Sequence, residues 1–325
     1  MSLRKIGLLL LCTISIFISC ENDDDLQQLP TQTIRDRGEQ QLADNISLLE
    51  YLTTHYYNAG DFEGSTNPKI DDLIIGEVPA NGVLPNATDR ILYTDDNDDT
   101  NDAVQVITTT FAETEYEYYI LELNKGGGTT SPNFSDRVRV VYQGSLLDGS
   151  VFDSAVTPVD LNLVGDGATV AGTISGWRKV FPMFKVSESL TNNGDGTFSF
   201  TNHGTGVMFL PSGLSYFANP PTNSGIPLYA PLIFKFELLQ SFIVDHDNDG
   251  VPSYLEDLNN DNEFIIDPDN TDTDDDTDGD GLPDYVDVDD DGDGILTIDE
   301  DENGDGNPMN DIGPNGLPRY LDPES

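Results

Sequence analysis

Apolar positions fall into four regimes along the 325 residues of this chain. The first is a mainly apolar run, 6–19, placed directly after Arg4-Lys5. It is shorter than the ~20 residues a membrane-spanning helix needs, and a basic start followed by a short apolar stretch reads as a secretory signal. In the second regime Ile34, Leu42, Ile46, Leu49, Tyr51, Leu52 and Tyr56 recur at helical spacing, which predicts a helix reaching Tyr57. Asn58-Ala59-Gly60 stops it, with Gly60 as the cap. Residues 61–103 are rich in Asn, Asp, Gly and Pro and read as loop with short strands.

The third regime is β-like. Runs of β-branched and aromatic residues at 104–110, 116–123, 137–142, 207–210 and 232–239 predict strands. One short helix is expected at 176–181, where Ser175 can cap it and Pro182 discourages continuation. These elements predict an α+β class: an antiparallel sheet wrapped on one short helix, preceded by an N-terminal helical spacer. In the fourth regime, 245–325, large apolar residues are few, and the composition cannot bury a core of its own.

Charge sharpens the division. The chain holds 60 acidic and 14 basic residues, a formal net charge of -46. Nucleic acid is thereby excluded as a general partner, because phosphate neutralisation needs clustered Lys and Arg. Adhesion to anionic lipid by charge is excluded for the same reason. Residues 245–325 carry 29 of the acidic side chains against one basic residue, Arg319. Both cysteines, Cys12 and Cys20, lie in the first twenty residues, so the remainder has no thiol chemistry and no Cys-ligated zinc. The three histidines, His55, His203 and His246, stand in unrelated contexts and suggest no catalytic triad.

The end of the leading apolar run, Phe17-Ile18-Ser19-Cys20, resembles the bacterial lipobox. The resemblance implies a lipoprotein signal at 1–19, acylation of Cys20, a tether at 20–33 and anchorage in the bacterial outer membrane. The tract Glu21-Asn22-Asp23-Asp24-Asp25 resembles the surface-export signal of Bacteroidetes lipoproteins, which leaves the periplasmic and cell-surface faces both open.

Four segments stand in a recognisable order: the stretch from Val140-Val141-Tyr142 through Phe152-Asp153-Ser154, then Thr173-Ile174-Ser175-Gly176-Trp177, Leu214-Ser215-Tyr216, and 226–239. Through them residues 115–242 resemble an FKBP-type peptidyl-prolyl cis-trans isomerase. The resemblance implies a pocket with Trp177 as floor and Tyr142, Phe152, Val159, Ile174 and Phe234 as walls, with Ile226 at the rim. It further implies that Tyr216 hydrogen-bonds the substrate carbonyl, that Asp153 lies beside the twisted amide, and that the Ile174 N–H donates to bound substrate. No cofactor is implied for catalysis, and the partners are Xaa-Pro segments of exported or envelope proteins. There are departures. No arginine follows to pair with Asp153, Val159 replaces a frequent pocket phenylalanine, Phe217 replaces a glycine after Tyr216, and Val180 replaces a helix glycine. Residues 187–205 read as an inserted hairpin, turning at Asn192-Asn193-Gly194-Asp195-Gly196.

Spacing gives the acidic third a chemistry. Asp245, Asp247, Asp249, Gly250 and Glu256 fit D-x-D-x-D-G-x5-E, as do Asp289, Asp291, Asp293, Gly294 and Glu300. Asp276, Asp278, Asp280, Gly281, Asp284 and Asp287 form a variant, and Asp301, Asn303, Asp305 and Gly306 a further copy. Alternate carboxylates around a glycine turn are calcium chemistry. The motif Gly-x-Pro-x-Tyr-x-acid recurs at 250–256, 281–287 and 316–322. The last copy, with Gly313 and Asn315 upstream, is expected to bind nothing. The series resembles thrombospondin type 3 repeats, which implies a Ca2+-stabilised arm at 245–325, independent of the pocket.

The resulting expectation is a lipid-anchored prolyl isomerase that assists folding in the bacterial envelope. Two alternatives differ in class: a non-catalytic chaperone or assembly domain that only holds Pro-containing segments, and an adhesion lipoprotein whose acidic arm is the working part.

Overall fold

The computed structural model describes residues 34–94, 102–270 and 272–325. The signal, Cys20, the tether and the acidic turn at 95–99 lie outside the described residues.

Helix α1 (Arg37–Thr54) starts on Asp36, whose side chain accepts the Glu39 N–H at 2.9 Å. It ends three residues before Tyr57, because His55–Tyr57 is a strand, β1, paired with β2 (Ile75–Glu77) and β3 (Arg90–Ile91). Its buried face also departs from the apolar pattern. Gln40, Gln41, Asp44, Leu48 and Leu52 are buried, whereas Leu42 and Ile46 are each 69% exposed. Hydrogen bonding explains the difference. Asp44 accepts from the Ser212 N–H (2.7 Å), the Ser212 hydroxyl (2.6 Å) and Gln40 Nε2 (2.6 Å). Nearby, the Arg35 N–H donates to the Tyr229 hydroxyl at 3.1 Å. The helix is thus bolted to the loops that follow the central strands.

The main sheet comprises β4 (Val104–Phe111), β5 (Thr114–Asn124), β6 (Arg137–Leu146), β7 (Val151–Asn162), β10 (Gly204–Leu210) and β11 (Leu232–Phe242). Between them β8 (Ser189–Asn192) and β9 (Phe198–Thr201) form the inserted hairpin. The order is β4-β5-β10-β11-β6-β7, antiparallel throughout. Strand β7 is the element least legible in the sequence. It is an edge strand, and its register against β6 slips between Val140↔Val159 and Tyr142↔Ala155, so Val156, Thr157 and Pro158 bulge out. A proline is tolerated there because an edge strand has one unpaired side.

Alternation along the strands serves two cores. Phe234 and Phe236 join Val138, Val140, Trp177 and Phe181 on one face, while Ile233 joins Leu48, Leu52, Tyr119 and Phe209 on the other. The first face is covered by α2 (Ser175–Val180), which runs into a 3-10 turn at Phe181–Met183 containing Pro182. Ser175 is not its cap. Ile174 takes that position, and the Ser175 hydroxyl donates to the Leu214 carbonyl at 3.2 Å.

Residues 245–325 fold as successive tight turns. Each Pro of the repeated motif (Pro252, Pro283, Pro318) precedes a 3-10 turn. Gly250, Gly281 and Gly316 all have φ between 83° and 102°, a left-handed region that favours glycine. The segment does bury aromatic surface, but against its neighbour. Tyr285, Tyr254 and Phe264 pack with Phe134 and Val164.

Asp44→Ala leaves the Ser212 N–H and hydroxyl and the Gln40 amide without their buried acceptor. The expected loss is about 2–4 kcal/mol, read as a lower denaturation midpoint. A loss under about 0.5 kcal/mol, within the range of an ordinary surface change, would mean that α1 is a passive spacer.

Candidate functional site

A cavity of about 260 Å³ opens between α2, β6, β7 and β11, lined by Tyr142, Asp153, Leu161, Gly172, Thr173, Ile174, Trp177, Tyr216 and Phe234. It is somewhat smaller than the ~300–1,000 Å³ of drug-sized ligand sites, so it suits one ring and its flanking amide. Its floor is aromatic. The Trp177 ring meets Phe181 at 4.8 Å, Phe234 at 5.0 Å and Tyr142 at 5.6 Å, the last two edge-on. Such edge-to-face contacts each add about 0.5–1.5 kcal/mol beyond burial. Gly144 makes room for part of this wall: a Cβ there would sit 2.6 Å from the Phe152 ring and 2.8 Å from the Phe234 ring.

The polar side of the cavity is one short chain of groups. The Tyr142 hydroxyl donates to Asp153 Oδ2 at 2.6 Å. Burial, and then the carboxylate it donates to, hold the Tyr142 hydroxyl well above the ordinary tyrosine range. Burial and the Asp153 charge raise Tyr216 as well. Both phenols therefore remain donors at neutral pH. Phe217, after Tyr216, adopts φ 50°, the conformation that suits glycine. Its ring is held by Tyr229 edge-on at 5.0 Å and by the Arg37 guanidinium at 4.4 Å.

Of the nine residues implied by resemblance, six line the cavity: Tyr142, Asp153, Ile174, Trp177, Tyr216 and Phe234. Phe152, Val159 and Ile226 belong to the surrounding hydrophobic cluster instead. Leu161, two residues along β7 from Val159, lines the cavity and was missed; strand alternation is the signal that could have found it. The histidines are structural. His203 is buried beside Glu237 at 3.6 Å, His55 stacks on Tyr51, and His246 lies 2.8 Å from the Ser253 hydroxyl.

Among the described residues, the acidic segment brings carboxylates together in three places. Asp276, Asp278 and Asp280 form one group, and Asp289, Asp291 and Asp293 another. The third is Asp247, Asp249 and Glu256 joined by Asp290, all four offering oxygens within 4.8 Å of one another. Asp290 was an unassigned spacer in the sequence motif. Motif members outside these groups, like several inside them, are hydrogen-bonded to the protein. Asp245 accepts the Asn248 and Gly250 N–H groups, and Asp284 accepts the Thr277 N–H and hydroxyl. Asp287 accepts the Asp289 N–H, Asp301 the Gly304 and Gly306 N–H groups, and Asp305 the Asn307 N–H. Asn303 donates to Asn310, and Glu300 accepts from the Ser325 hydroxyl.

Burial and then like charge push Glu256 up to about 11, Asp290 to about 10 and Asp247 to about 9. Among the described residues, both Glu256 oxygens, both Asp290 oxygens, Asp247 Oδ2 and Asp249 Oδ2 are buried without a hydrogen-bond partner. Buried carboxylates left this way are costly. An all-oxygen set of this kind fits a hard divalent cation.

Comparison with known proteins gives two separate likenesses. The chain is 31% identical over 120 residues, 36% of its length, to the FKBP-type 22 kDa peptidyl-prolyl cis-trans isomerase of Escherichia coli. It spans about half of that relative, 47%. Among solved structures it is similar to a peptidyl-prolyl cis-trans isomerase from Pseudomonas syringae pv. tomato, at 24% identity and TM-score 0.30. That match covers 41% of this chain and 80% of the other. FkpA from Escherichia coli is similar at 25% identity and TM-score 0.29, covering 41% of this chain and 51% of its own. Residues 246–322 match a different family, described as BamM C-terminal.

Proposed function

We propose that the sheet domain catalyses cis-trans isomerisation of Xaa-Pro bonds in exported proteins, from a lipid anchor at Cys20 in the bacterial outer membrane. The observation that carries this reading is the Tyr142–Asp153 pair and Tyr216 set at the edge of a cavity floored by Trp177.

The reaction makes and breaks no bond, so it needs neither nucleophile nor acid–base pair. Its barrier is the loss of amide resonance, ~18–20 kcal/mol for an ordinary peptide bond and low enough for proline to cross in tens to hundreds of seconds. Trp177, Phe234 and Leu161 supply an apolar surface for the proline ring and exclude water from the amide. A twisted amide is less polar than a planar one, so this surface favours the transition state over the ground state. The Tyr216 hydroxyl can then donate to the substrate carbonyl. Asp153, fixed by Tyr142, places a carboxylate beside the rotating bond.

A protease-coupled Xaa-Pro assay on the full chain tests the reading. Wild type is expected to accelerate isomerisation, and Phe152→Ala combined with Asp153→Ala to slow it about a hundredfold, equivalent to ~2.7 kcal/mol of transition-state stabilisation. A wild-type rate no better than an unrelated folded protein would replace catalysis with simple holding of Pro-containing segments.

The acidic segment is read as a calcium-stabilised arm. Its support is the convergence of buried, unpartnered carboxylates, and Ca2+ supplies there the charge that offsets them. Replacing Asp289, Asp291 and Asp293 together by Ala is expected to lower calorimetric calcium stoichiometry by one ion. Unchanged stoichiometry would reduce that group to a solubilising loop. Cys20→Ser is expected to abolish radioactive palmitate incorporation and release the chain from the membrane fraction. Persistent labelling would remove the anchor from this account.

A further inference from the structure

The run Asp289-Asp290-Asp291 serves two places at once. Its odd members face their own turn with Asp293, whereas Asp290 joins Asp247, Asp249 and Glu256 from a stretch more than thirty residues earlier. Asp249, Glu256 and Asp290 are 2%, 0% and 1% exposed. With the unpartnered oxygens already described, this is a built site.

The two stretches it joins are also the two that hold one loop of the sheet domain. From the first, His246 Nε2 lies 3.4 Å from the Val164 carbonyl; from the second, the Tyr285 hydroxyl donates to the Gly165 carbonyl at 3.0 Å. The His246 and Tyr285 rings meet edge-on at 5.3 Å. That loop, 163–173, runs directly into Ile174 and Trp177. Between the stretches, Phe264 stacks on Tyr285 at 3.9 Å, and Glu263 pairs with Arg178 (3.2 Å) and Lys179 (2.6 Å), the residues after Trp177. The acidic segment therefore packs on the loop and the helix that carry Ile174 and Trp177.

We infer that Asp247, Asp249, Glu256 and Asp290 bind one divalent cation of calcium's chemistry, which clasps two stretches of the acidic segment onto 163–173 and α2 and so sets the prolyl pocket. This inference rests on the prolyl reading only for what the pocket binds. Without the cation, four converging carboxyl groups are left buried with oxygens unpartnered, the stretches part, and Glu263 no longer steadies α2. With it, the loop and helix are held from outside while the aromatics hold them from within.

Trp177 is the sole tryptophan of the chain, so its emission reports the coupling without any catalytic assay. The full chain, freed of metal by chelator, is titrated with calcium chloride and followed by tryptophan fluorescence and calorimetry, with isomerase KM measured at both ends. A saturable emission change and a lower KM with calcium are expected. Asp290→Asn should raise the calcium midpoint of the emission change at least tenfold, and the exposed Asp299→Asn should leave it within twofold. Glu263→Gln should keep calorimetric calcium binding while losing most of the emission change, a result that misfolding would not give. Absence of calcium binding, flat emission despite binding, or Asp290→Asn titrating like Asp299→Asn would each overturn the inference. A normal emission response in a protein without isomerase activity would defeat the prolyl reading and leave the clasp standing.

Discussion

A helix of six residues cannot hold itself. Isolated helices of this length lose more entropy on forming than their few hydrogen bonds return, so the position of α2 is set wholly by what packs on it. Phe234 and Phe236 press from the sheet, Phe181 from the following turn and Tyr142 from β6. Ser175 ties its start to the Leu214 carbonyl. Because Trp177 is the second residue after that start, whatever positions α2 also positions the pocket floor.

The same dependence reaches outward in two directions. Asp44 in α1 fixes Ser212, and through it the turn that presents Tyr216. Glu263 in the acidic segment pairs with both Arg178 and Lys179 on the outer side of α2, where all three side chains are largely buried. A small cavity is thus framed by segments drawn from the whole described chain. The acidic segment has the opposite problem from the sheet, too much charge and too little apolar surface. It answers by lending its aromatics to Phe134 and Val164 and by gathering carboxylates into groups, one of them drawn from two separate stretches.

Much of this is legible in the sequence where period and chemistry agree. The strands at 104–111, 204–210 and 232–242 carry β-branched and aromatic residues in runs, and the acidic turns place glycine at the positions where φ is positive. The residue set at the pocket is visible through Gly176-Trp177 and Phe152-Asp153. What the sequence hides has physical causes. Leu42 and Ile46 look like core because apolar spacing says nothing of Asp44, whose hydrogen bonds turn the helix the other way. Strand β7 is masked by its bulge around Pro158, which breaks alternation. Asp290 is invisible because its partners lie in another repeat, and a linear motif counts only neighbours.

In the proposed activity the cavity over Trp177 turns a proline amide rather than merely holding it. Two-dimensional exchange NMR on a short Ala-Pro peptide, with a few per cent of the protein added, measures that turn directly, because cis and trans resonances are resolved and uncatalysed exchange is slow on this timescale. Cis–trans exchange peaks are expected to appear with wild-type protein and to vanish with the Phe152 and Asp153 replacements. Peptide resonances that shift on binding, with no exchange peaks at any protein concentration, would contradict the proposed activity.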